Sequence, residues 1–169
     1  MEFRLSRLRL GEWLIGISAL ALLIILFVVP WYGLPSTYAR AAAAVGAASS
    51  FSGWESLSVL RWLIVSLGLG GLACWYLQAR CLAPALPVCA TVLETALGVV
   101  VVIGLYCRVI ILGPPVAVAH FLPAAFVGLA LAIAVVVGGY ISLRQDQAPA
   151  PGSVVAIEQL KVPPAAGAR

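Results

Sequence analysis

Charge is what this sequence has least of. Only 9% of its 169 residues are Asp, Glu, Lys or Arg, against roughly 25% in soluble domains. A water-soluble fold of this size still exposes much of its surface. A chain that is 63% hydrophobic has too few polar residues to cover it. Histidine is equally scarce, with His120 alone, and one His without a second His or a neighbouring carboxylate makes a poor metal site. The four cysteines, Cys74, Cys81, Cys89 and Cys107, include no CxxC pair. Zinc-ribbon and thioredoxin-like readings therefore lapse, and free thiols are expected. There is no Walker A, HExxH, GxSxG or GxGxxG motif, and no pair of carboxylates at helical spacing. The expectation is a protein that is not an enzyme and holds neither cofactor nor metal.

Long apolar runs are what the chain does have. A membrane-spanning helix takes about 20 mostly apolar residues, and four segments qualify: residues 13–32, 57–77, 88–107 and 121–143. The sequence thus predicts an all-α integral membrane bundle of four transmembrane helices over residues 1–144. Trp13 opens the first span and Trp31 with Tyr32 closes it, as interfacial aromatics do. Its apolar run is longer than the h-region of a signal peptide, about 7–15 residues. Pro84 and Pro87 precede the third span, and Gly113-Pro114-Pro115 precede the fourth. Proline is well tolerated at a helix start and poorly inside one.

Orientation follows from the basic residues beside the spans. Arg4, Arg7, Arg9, Arg80, Arg144, Lys161 and Arg169 fall on one side, and Arg40, Arg61 and Arg108 on the other. Seven against three places both termini in the cytoplasm. The abundance of Arg, Ala, Gly and Pro suggests a bacterial plasma membrane protein. The basic residues flank spans and form no patch with interleaved aromatics, so nucleic acid is not an expected partner; membrane lipids are. The first outer loop, about residues 33–56, has an Ala-rich middle that favours a short surface helix, with Ser36 placed to cap it. The tail, residues 145–169, is rich in Pro and Ala and reads as disordered. Within it, SVVAIEQLKV is suited to one amphipathic turn or a strand on a partner.

Glu94 breaks the apolar pattern at depth, about 10 Å into the third span. An ionisable group there is expensive and usually faces the bundle interior. It is either a polar tie between helices or a proton- or cation-binding group. Arg108 lies about 21 Å farther along the helix and cannot pair with it. Near the outer end of the second span, Trp54, Glu55 and Arg61 read as interfacial anchors or a docking surface, with Arg108 in the same role on the third. Ser56 or Ser58 is placed to cap the second span. Small residues recur every four positions: Ser66, Gly70 and Cys74 on the second span, Ala124, Gly128 and Ala132 on the fourth, and Ala134 with Gly138. Such stripes let helix backbones approach closely in lipid.

Four short elements carry a resemblance: Arg7 and Arg9 before span one, Trp31-Tyr32 closing it, Gly53-Trp54-Glu55 opening span two, and Gly138-Gly139-Tyr140 through Arg144. In outline, residues 4–146 resemble uncharacterised four-span integral membrane proteins of actinobacterial type. That resemblance implies no known activity. The expected role is a non-catalytic accessory or scaffold subunit of a larger plasma-membrane complex (respiratory, secretion or envelope), packed against other integral membrane subunits. The alternative is a small transporter or channel that works through Glu94, alone or as a homo-oligomer.

Overall fold

A computed structural model describes residues 10–80, 85–114 and 119–146. The basic N-terminal segment, Cys81 with Pro84, and the SVVAIEQLKV segment lie outside the described residues. Four long helices dominate: α1 (Leu10–Val28), α4 (Leu60–Arg80), α5 (Ala85–Tyr106) and α6 (Pro123–Asp146). Each has the length and apolarity to cross a membrane. Between them lie β1 (Pro30–Gly33), α2 (Ser36–Ala44), β2 (Ser50–Ser52), the single-turn α3 (Gly53–Ser56) and β3 (His120–Phe121).

Proline and glycine set the helix limits. Pro30 lacks an N–H and restricts the residue before it, so α1 stops at Val28. Pro123 occupies the first position of α6, where a missing N–H costs nothing. After Tyr106 the third span widens into a π-turn, Cys107–Ile111, and the chain turns away two residues later at Gly113, with φ +73°. Three expected boundaries move accordingly. The first span begins at Leu10 rather than Trp13, which brings Glu12 into its first turn. The second begins at Leu60. The fourth continues to Asp146 and absorbs the start of the expected tail.

The helices alternate in direction, and α1 packs against both α4 and α6 while α5 packs against the same two. Glycines set the closest crossings. A Cβ on Gly11 would stand 2.7 Å from the Ser142 backbone nitrogen, and one on Gly138 would stand 3.0 Å from the Gly11 carbonyl oxygen. The α1–α6 crossing is therefore backbone against backbone, the approach that small residues permit in lipid.

One end of the bundle carries a three-stranded antiparallel sheet in the order β2-β1-β3. The sheet was not expected from the sequence, which gives the first loop only a short surface helix in its Ala-rich middle. The loop holds both: α2 is an exposed helix, and the chain on either side of it pairs as strands. Ser36 does not cap α2; Pro35 occupies that place without a side-chain bond. Ser52 caps the next turn instead. Its hydroxyl accepts from the Glu55 N–H at 3.3 Å, and the Glu55 carboxylate accepts from the Ser52 N–H at 2.9 Å. That is a complete capping box. The Ser56 hydroxyl donates to the Ser52 carbonyl and caps nothing.

The sheet covers the core. Trp31 and Tyr32, expected at the membrane interface, are fully buried. The Trp31 indole N–H donates to the Ile25 carbonyl at 3.0 Å, and its ring fills a slot walled by Gly53 and Gly128. Buried in low polarity, the ring meets its single hydrogen-bonding need from the end of α1.

Candidate functional site

The buried positions of α5 fall at Thr91, Glu94, Gly98, Val101 and Leu105, with Val109 in the π-turn. That spacing of three and four residues is one helix face. Glu94 thus sits on the same stripe as the apolar core and points inward by geometry. It is only 6% exposed.

Opposite it lie two adjacent glycines of α4. A Cβ on Gly70 would overlap the Glu94 carboxyl, and one on Gly71 would stand 3.3 Å from Oε1. The carboxyl occupies the volume that two side chains would otherwise fill. Behind Gly71 stand Ile15 and Ala19 of α1, so three helices close on one acidic group. Oε1 has no hydrogen-bond partner among the described residues. A charged carboxylate so placed, with no counter-charge beside it among the described residues, costs several kcal/mol.

The surroundings become polar toward the end of the bundle where α1 begins. The Gln78 amide donates to the Thr91 hydroxyl at 3.2 Å, and the Thr95 hydroxyl donates to the Thr91 carbonyl at 2.7 Å. Gln78 Oε1 is buried and unpartnered among the described residues. Cys74 is buried on α4 between Gly71 and Gln78. Glu12 and Ser142 are buried near the same end. The other half of the core, from Leu22 and Ile64 to Trp31 and Leu105, is apolar. The sequence reading placed Glu94 as the one ionisable group at depth; Glu12 is a second buried carboxyl, within the first turn of its span.

The small-residue positions divide. Gly70 packs on Glu94 and Gly128 on Trp31, and Ala124 and Ala132 are buried on α6. On α4, Ser66 is exposed, while Gly70 meets Glu94 and Cys74 is buried. Gly68, against Leu23, and Gly71, against Ala19 and Ile15, are the small residues there that face α1.

At the sheet end, Arg61 lies over the Trp54 ring at 4.8 Å and near the Trp62 ring at 5.8 Å. One of its terminal nitrogens donates to the Trp54 carbonyl at 3.3 Å. Trp54 also meets Phe27 at 5.0 Å and Trp62 at 5.2 Å between centroids. Glu55 is exposed and committed to its capping box. Arg108 is not brought to this cluster but faces Tyr32. Burial pushes the Tyr32 phenol up from its ordinary value near 10.0, and the Arg108 positive charge opposes that shift. His120 is exposed on β3, and no group of three His, Cys, Asp or Glu side chains suited to a metal occurs among the described residues.

The chain was compared with protein families, curated proteins and solved structures, and none of them matches it.

Proposed function

We propose that this protein is a non-catalytic accessory or scaffold subunit of a larger plasma-membrane complex, with both termini in the cytoplasm. The observation that supports this reading most directly is a groove on the outside of the bundle. It lies between α1 and α4, measures about 200 Å³, and is lined by Trp13, Gly16, Ile17, Leu20, Leu72 and Trp75. Its floor is a glycine in close contact with the Trp75 ring, and Ile17 and Leu20 on its rim are exposed. A notch with a small floor and apolar rims suits a side chain from a neighbouring transmembrane helix. The seven-to-three distribution of basic residues supports the inward termini.

A photo-crosslinking residue at position 17, in native membranes, tests the reading. The expected product joins this chain to a different polypeptide. Adducts to lipid alone, or to a second copy alone, would sink it.

The second reading is a small transporter or channel working through Glu94. It is favoured by one observation, a buried carboxyl enclosed by three helices, with no side-chain partner for its Oε1 among the described residues. Flux into liposomes that is lost in Glu94→Gln would support it, and flux unchanged by that substitution would count against it.

A further inference from the structure

Arg61 is the second residue of α4, at the sheet end of the bundle. It is held in place by aromatic rings and one carbonyl, not by an acid. Its guanidinium lies 4.8 Å from the Trp54 ring and 5.8 Å from the Trp62 ring, and donates to the Trp54 carbonyl. Among the described residues no carboxylate pairs with it. Glu55, the nearest acid in sequence, is committed to its capping box with Ser52. A guanidinium carries several N–H donors, and only one is bonded here. The Nε atom is buried without a hydrogen-bond partner, so the terminal nitrogens are the part of the head left for a ligand. The aromatic surface continues beside the charge. Phe27 of α1 meets Trp54 of α3 at 5.0 Å, and Trp54 meets Trp62 of α4 at 5.2 Å. Phe27 and Trp62 are exposed, as is Val59 just before α4. Charge at this end is one-sided: among the described residues Arg40, Arg61 and Arg108 stand against Glu55 alone.

We propose that Arg61 binds the phosphodiester of an anionic phospholipid in the leaflet at the sheet end, with Phe27, Trp54 and Trp62 packing against the lipid below its phosphate. A guanidinium offers parallel donors that match phosphate oxygens. The indole faces hold it by cation–π attraction, so little freedom is lost when the anion arrives. The end of a spanning helix is also the depth at which headgroups and interfacial Trp lie. Charge selects the lipid class. A zwitterionic headgroup brings a cation of its own, and the one carboxylate at this end is occupied by the capping box. An anionic headgroup has no such cation and meets the excess of Arg. The exposed Phe27 and Trp62 rings argue for a lipid over a free phosphate ion, which has no apolar part to cover them. The site lies at the opposite end of the bundle from the Trp13 and Trp75 groove, so it is independent of any protein that docks there.

Native mass spectrometry of the full chain, released from micelles doped with phosphatidylglycerol or phosphatidylcholine, tests the proposal. The wild type is expected to retain phosphatidylglycerol in preference to phosphatidylcholine. Arg61→Gln should lower that retention about fivefold, the effect of one basic residue beside anionic lipid. Trp62→Leu, at an exposed position where folding is not at stake, should lower it severalfold. Arg40→Gln makes the same change of charge on exposed α2 and should leave retention near the wild-type level. Excess inorganic phosphate should not displace the lipid. Circular dichroism confirms that each variant is folded. The proposal is overturned if the wild type retains both lipids alike, or if Arg40→Gln loses as much as Arg61→Gln. It is equally overturned if either Arg61→Gln or Trp62→Leu retains phosphatidylglycerol as the wild type does. Displacement by inorganic phosphate would overturn it in favour of a site for the bare anion.

Discussion

The six-membered ring of Trp31 lies directly against Gly128. A Cβ at position 128 would stand 2.6 Å from both Cζ2 and Cη2 of the indole. From the other side Gly53 leaves 2.7 Å to Cε2. Two glycines distant in sequence thus form one slot, and the sheet residue that fills it joins α1, α3 and α6.

Gly128→Ala should therefore destabilise the bundle by about 1–3 kcal/mol, the usual effect of overpacking a filled site. Trp31→Ala should cost more, about 3–5 kcal/mol, because it leaves a cavity and removes the indole bond to Ile25. Unfolding of detergent-solubilised protein, followed by circular dichroism, would report both. A Gly128→Ala variant as stable as wild type would show that the indole has room to shift.

The capping box gives a local prediction. Glu55→Ala removes the acceptor of the Ser52 N–H, and Ser52→Ala removes that of the Glu55 N–H. Each should cost about 0.5–2 kcal/mol of local stability. Faster amide hydrogen exchange confined to residues 50–57 is the expected signature, with Glu55→Gln close to wild type because its amide oxygen still accepts. Acceleration throughout the bundle would indicate a role wider than capping.

Tyr32 sets an alkaline limit on stability. Its phenol titrates higher in the folded chain than the ordinary value near 10.0, because burial disfavours the phenolate more than the Arg108 charge supports it. Below pH about 10 the phenol is protonated in both states, and its contribution to stability is fully present. As pH climbs from there through the folded-state value, the unfolded chain loses its proton first and stability falls. Tyr32→Phe should remove this part of the alkaline loss. The difference between the two proteins' thermal midpoints, measured from neutral to strongly alkaline pH, should narrow or reverse as pH rises. A constant difference would mean that Tyr32 does not titrate differently on folding.

The four spans and the depth of Glu94 were legible because each rests on something a single segment displays: about 20 apolar residues, or one acidic residue within them. The sheet was not. Its strands are four, three and two residues long, too short for a period to emerge, and they pair across chain separations that no local pattern records. Trp31 was misplaced for the same reason. An aromatic at the end of an apolar run looks interfacial until β2 and β3 are seen to pair with its strand and cover it. Ser66 shows the limit in another form. Its spacing with Gly70 was correct for a helix face, but α4 presents Gly68 and Gly71 inward to α1, and Gly70 to Glu94.

The contact between Gly70 and Glu94 supplies the most discriminating measurement. A methyl group at position 70 would overlap the carboxyl, so one of the two must move. Gly70→Ala alone should destabilise by about 1–3 kcal/mol. In a Glu94→Ala background the obstructing carboxyl is gone, and the same substitution should cost far less. The resulting coupling should fall within about 0.5–3 kcal/mol, the range for residues in direct contact. Ser66→Ala, one turn away and facing outward, serves as the reference and should change stability by no more than about 0.5 kcal/mol. Stepwise denaturation of all five proteins in mixed micelles gives the comparison. If Gly70→Ala costs the same with and without the Glu94 side chain, the glycine is required by the α4 backbone itself and not by the acid it faces. The buried carboxyl would then have been accommodated by some other element of the bundle.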